Sequence, residues 1–124
     1  MPTWTVEKYV ASNGNCPIDK WKKGLTPKDR ARLDAKVESI ERTADLPPNT
    51  VEKYTGTELY ELKVLGDKKQ LRPFGVMQPG KRFVLLSGAI EKGGLIPPAD
   101  RKRAERLRKD LEKSVGRVKG YAED

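Results

Sequence analysis

Apolar and polar positions alternate over residues 3–10, with Trp4, Val6 and Val10 on one side and Thr5, Glu7 and Tyr9 on the other. A period of two is the signature of a strand with unlike faces. Lys8 falls on the apolar side, which predicts a strand that is short or near an edge. Ser12-Asn13-Gly14-Asn15 reads as a turn. The period then changes. Residues 17–23 predict a short helix, with Trp21 and Leu25 four apart and Gly24 as its C-terminal cap. Thr26-Pro27-Lys28-Asp29 is a second helix start. Thr26 can accept a hydrogen bond from a free first-turn N–H, Pro27 sits where a missing N–H is harmless, and Asp29 completes an approximate capping box. Leu33, Val37 and Ile40 follow at helical spacing and form a narrow core-facing stripe. Pro47-Pro48 closes this segment.

Three more strands are expected downstream. Residues 59–65 alternate, with Tyr60, Leu62 and Val64 on one face and Leu59, Glu61, Lys63 and Leu65 on the other. Residues 71–77 form the second, where Pro73 and Gly75 suggest a bulge or an edge position. Residues 83–90, the most apolar run, read as the buried central strand. The Gln78-Pro79-Gly80-Lys81 turn makes the last two an antiparallel hairpin. After Pro97-Pro98, Ala104, Leu107, Leu111, Val115 and Val118 trace the docking stripe of a last helix. Gly116 ends or weakens that helix, and residues 116–124 read as a flexible tail. The order β, α, α, β, β, β, α predicts one α+β domain over residues 1–124, with helices on one side of a four-stranded, mainly antiparallel sheet.

Composition narrows the chemistry. The 124 residues contain no histidine and a single cysteine, Cys16. Histidine-dependent triads, Cys-His pairs and Cys/His zinc sites are therefore excluded in this chain. No apolar run is long enough to span a bilayer, and the polar first ten residues do not read as a signal peptide. A cytoplasmic location without membrane association is the expectation.

The chain carries 26 Lys+Arg against 18 Asp+Glu, a formal net charge of +8. Mixed-sign blocks at residues 20–45 and 100–113 read as solvated helix faces. Residues 60–92 hold seven basic side chains against three acidic ones, and they fall on the expected strands. A basic sheet face suits a polyanion, most simply nucleic acid. Arg72 and Lys92 could stabilise the extra negative charge on phosphorus during RNA cleavage. Lys63 could act as base if cationic neighbours lowered its pKa, and Glu61 and Glu91 are the carboxylate alternatives. Lys68, Lys69, Lys81 and Arg82 are candidate phosphate contacts. Composition alone leaves catalysis, passive nucleic-acid binding and a scaffold role all open. Ser87, Cys16, Trp4, Trp21 and Tyr60 read as structural.

Residues 56–104 together resemble a known family. Gly56-Thr57-Glu58-Leu59-Tyr60-Glu61-Leu62-Lys63 is similar to the "G…L-(Y/W)-E-L-R" segment of RelE/HigB-type toxins of type II toxin–antitoxin systems, in their phage-derived branch. Leu71-Arg72 with Phe74 resembles the "Y-R-V" strand. Residues 83–92 resemble the "I-V-L-L-H-G-F-x-K-K" strand, and Pro97-Pro98 with Ala104 the "T-P-x-x-E-I-x-x-A" helix start. The resemblance extends over roughly residues 17–112 and rests on the order and spacing of these segments. It implies a microbial-ribonuclease-like α+β fold and a metal-independent, ribosome-dependent mRNA endoribonuclease that inhibits translation. It implies a cognate antitoxin protein, the ribosome and mRNA as partners, with no small-molecule cofactor. The family's site positions fall on Lys63, Arg72 and Lys92. The chain departs from the pattern at Ser87 for the histidine, Glu91 for the first lysine, Lys63 for the arginine, and Pro73 within the arginine strand. The wider superfamily includes ParE-type gyrase poisons without nuclease chemistry, so a non-catalytic role is the alternative.

Overall fold

The apolar run at residues 83–90 becomes the long strand around which the sheet is built. The computed structural model describes residues 2–123. In chain order the elements are β1 (Thr5–Val10), α1 (Pro17–Lys23), α2 (Pro27–Glu41), β2 (Val51–Lys53), β3 (Tyr60–Leu62), β4 (Val64–Leu65), β5 (Gln70–Gln78), β6 (Arg82–Ile90), α3 (Pro98–Glu112) and β7 (Arg117–Gly120). The sheet order is β2-β3-β5-β6-β1-β7, with β4 also paired to β5. Only β1 and β6 run parallel; the other pairs are antiparallel. The α+β class and the β5–β6 hairpin are as expected, but the sheet has seven strands rather than four.

The additional strands have identifiable causes. Residues 59–65 form two short strands instead of one, because Pro73 on β5 has no N–H with which to continue the ladder. Pairing stops after Glu61↔Phe74 and resumes at Val64↔Leu71. The expected tail instead holds β7, whose Arg117–Gly120 backbone pairs with Glu7–Val10 of β1. Gly116 makes that turn possible: its φ is +87°, and a Cβ there would lie 2.4 Å from the Val10 carbonyl oxygen. The Tyr9 hydroxyl donates to the neighbouring Val115 carbonyl at 2.8 Å. β1 therefore lies inside the sheet and not near an edge. Its buried Lys8 is accommodated by an ion pair with Asp19 of α1 at 2.9 Å.

The helices cover both faces of the sheet, not one. α1 and α2 close one core on Val6, Leu62, Leu71, Phe83 and Leu85. α3 closes a second on Tyr9, Leu59, Phe74, Val84 and Leu86, through Ala104 and Leu107. A strand apolar on both sides, as β6 is, must be covered twice. The bulge suggested by Gly75 does occur at the Phe74–Gly75 step, with Leu86 as the extra residue on β6. β5 is nonetheless an interior strand. The bulge turns Gly88 toward the α1 side, where the Trp21 ring packs so closely that a Cβ would meet it at 2.3 Å.

Thr26 caps α2 as expected, accepting from the Asp29 N–H at 3.2 Å. The Asp29 carboxylate is fully buried and holds the loop before β5, accepting from the Asp67 N–H at 2.9 Å and pairing with Lys69 at 3.2 Å. Gly24 follows α1 with an ordinary helical φ of −79°, so the left-handed freedom of glycine is not used there. Among the described residues no helix is long and apolar enough to cross a membrane.

Candidate functional site

The break between β3 and β4 creates an unusual neighbourhood on the α3 face of the sheet. Counting on from Glu61↔Phe74 and back from Val64↔Leu71 places Lys63 opposite Arg72. Arg72 in turn lies opposite Ala89 of β6, and Glu61 opposite Glu52 of β2. Like charges facing each other across strands are unfavourable, and here they alternate with opposite ones. The Lys63 ammonium lies 2.5 Å from the Glu52 carboxylate. The Arg72 guanidinium lies 3.9 Å from Glu61 through Nε and 3.5 Å from Glu91 through Nη2. Its Nη1 donates to the Gln70 side chain at 3.2 Å and to the Leu71 carbonyl at 3.1 Å.

Arg72 is only 8% exposed, and among the described residues its buried Nε–H has no hydrogen-bond acceptor, since 3.9 Å is too long for one. A buried charged donor left unmatched is costly, and an anionic oxygen at this position would satisfy it. Burial raises the Glu61 carboxyl above its usual range; the Glu52 and Glu91 charges add to this, and Arg72 and Lys63 oppose it. The hydrogen bond and charge of Lys63 hold the Glu52 carboxyl below the usual range. One face thus carries a proton acceptor of raised basicity, a guanidinium with a free donor, and an ammonium.

The structure brings Lys63 and Arg72 together but not Lys92. Lys92 is exposed in the Gly93-Gly94 turn, bridged through its backbone to Leu95, and forms no ion pair with the cluster. Lys63 is engaged with the Glu52 carboxylate, whereas burial raises the Glu61 carboxyl, which puts Glu61 in the better position to accept a proton. The candidate phosphate contacts are dispersed. Lys68 is exposed and Lys69 pairs with Asp29, both just before β5. Lys81 donates to the Ala44 carbonyl at 2.5 Å, and Arg82 pairs with Glu7 at 2.6 Å. These two sets sit beyond opposite ends of nine-residue β5, roughly 25 Å apart at the rise of an extended strand. Ser87 is buried at 1% exposure, and its hydroxyl has no partner among the described residues.

Tyr54, which the strand periodicity does not single out, and Arg101 of the basic α3 block border the cluster. Tyr54 follows β2, packs its ring edge-on against Phe74 with centroids 6.3 Å apart, and lies beneath the Arg101 guanidinium at 5.8 Å. The alternation of Glu52 and Tyr54 beyond Val51 was the available signal, but it is too short to stand out between Pro48 and Gly56. The solvent side of α3 exposes Lys102, Arg103, Arg106 and Lys109, none in an ion pair among the described residues. The continuous basic surface therefore lies on a helix and not on the sheet. Compared with family models, with curated proteins and with solved structures, the chain gives no match.

Proposed function

We propose that this chain is a metal-independent endoribonuclease of the RelE/HigB type, cutting mRNA on the ribosome as the toxin of a type II toxin–antitoxin pair. The observation that carries this reading is the Glu61–Arg72–Lys63 cluster, a carboxyl raised by burial beside a guanidinium with an unmatched donor. The ordered segment resemblance over residues 56–104 supports it. In the proposed reaction Glu61 takes the proton of the ribose 2′-OH, and the 2′ oxygen attacks phosphorus. Arg72 and Lys63 stabilise the added charge. The bond to the 5′ oxygen breaks, that oxygen gains a proton from solvent, and a 2′,3′-cyclic phosphate and a 5′-OH result. Lys92 contacts RNA at the rim, outside the reacting group. A cognate antitoxin silences the protein by covering this face, and the proposed substrate, mRNA on the ribosome, makes the cytoplasm its site of action.

The test is primer extension on a message translated in a cell-free extract, with the protein or its Arg72→Ala variant added. New 5′ ends that require both translation and Arg72 are the expected result. An intact message, or equal cleavage by the variant, overturns the reading. One observation favours a non-catalytic alternative: the position corresponding to the family histidine is the buried Ser87, which reaches no substrate. A gyrase-supercoiling assay tests that alternative.

A further inference from the structure

Tyr54 is placed unlike a core aromatic. Its ring is only half-buried, and its hydroxyl, unlike those of Tyr9 and Tyr121, has no hydrogen-bond partner among the described residues and is not enclosed. Phe74 braces the ring from one edge at an interplanar angle of 68°, fixing its orientation. Arg101 covers one ring face at 5.8 Å and forms no ion pair among the described residues. A guanidinium over a half-exposed phenol ring sets a cation beside an aromatic ring, the combination of charge and π surface that holds an unpaired nucleobase.

Its location relates this surface to the cluster. The Tyr54 N–H donates to the Leu59 carbonyl at 2.8 Å, so the Tyr54–Leu59 pair follows the Glu52–Glu61 pair along the same face. Successive same-face positions on a strand are about 7 Å apart. A base seated on Tyr54 and Arg101 brings its own sugar and phosphate within reach of Glu61 and Arg72. Past Arg101, the exposed cations of α3 give the phosphates a path away from the cluster. We propose that Tyr54 and Arg101 form a nucleobase seat that positions single-stranded RNA over the Glu61–Arg72 cluster. This rests on the nucleolytic reading and adds to it the groups that hold the substrate in register.

Affinity measured by fluorescence anisotropy tests the proposal, using the 124-residue chain and two probes. One is a short single-stranded RNA with 2′-O-methyl riboses, which cannot be cut. The other is an abasic oligomer with the same number of phosphates. Tyr54→Leu keeps an apolar side chain against Phe74 but removes the ring. It is expected to weaken RNA binding roughly five- to hundredfold and to leave abasic binding unchanged. Tyr54→Trp is expected to restore RNA binding. Arg72→Ala is expected to weaken both probes. Equal RNA affinity for Tyr54→Leu and the unaltered chain overturns the seat, as does an unaltered chain that does not prefer RNA to the abasic oligomer or binds neither. The nucleolytic reading stands or falls separately, on the dependence of message cleavage on Arg72. Melting curves confirm that each variant is folded.

Discussion

At the scale of single residues, two carboxyl groups behave in opposite ways. Glu61 is raised above the ordinary carboxylate range, so ionising it costs the folded state. Its unfavourable contribution is absent below the unfolded-state pKa, grows as pH rises through the raised one, and persists at neutrality. Glu61→Gln is therefore expected to melt higher than the unaltered chain at neutral pH and equally in acid, while message cleavage falls about 10²- to 10⁴-fold. A neutral-pH melting point below that of the unaltered chain would show that Glu61 is held mainly by its pairing with Arg72. Asp29 has the opposite sign. The Asp67 N–H is the largest of the interactions that lower its carboxyl, so its stabilisation is lost as pH falls through the depressed value. Lys8 and Asp19 form a third case, an ion pair with one member buried. Lys8→Met is expected to be near neutral or stabilising. Asp19→Ala strands a buried ammonium, at a cost of about 3–5 kcal/mol. Denaturant unfolding of the two variants checks that order.

At the scale of elements, the β6 bulge determines which side chains meet which layer. It turns Gly88 under Trp21, so Gly88→Ala is expected to destabilise by about 1–3 kcal/mol through overpacking. Denaturant midpoints measure this, and an unchanged midpoint would mean that α1 can shift away from the sheet. The two long strands, the turn between them and the three helices are legible in the sequence because each has a strong period or a Pro and Gly boundary, although α3 ends at Glu112, before the Val115 and Val118 of the expected stripe. β2 is not, at three residues paired to a strand no longer than itself, and the break that separates β3 from β4 within the expected strand over 59–65 is not either. β7 is not legible either: Arg117-Val118-Lys119-Gly120 has one apolar residue, and its backbone bonds to β1 supply the rest. Of the site, Arg72 and Lys63 are legible as cations on strands. Their meeting depends on the ladder break at Pro73, and the Tyr54–Arg101 contact depends on where α3 docks. Both are tertiary facts.

At the scale of the whole molecule, a net charge of +8 overstates what a polyanion meets. Lys8, Lys22, Lys63, Lys69, Arg82 and Arg108 each face a carboxylate. If about three phosphates are contacted, RNA affinity should fall on the order of 20-fold between about 50 and 200 mM salt. Anisotropy titrations at several salt concentrations give the slope, and a flat response would remove nucleic acid as the ligand. The position of β1 also bears on how the molecule comes into being. Thr5 pairs with Arg82 and Glu7 with Gly120, so the first strand made finds its neighbours only after nearly all the others. Contacts this distant in sequence make folding slow. During synthesis at about 5–20 residues per second, β1 waits on the order of ten seconds for its second partner. Until β7 has been made, β1 can pair with β6 alone, and the sheet stays open on that side.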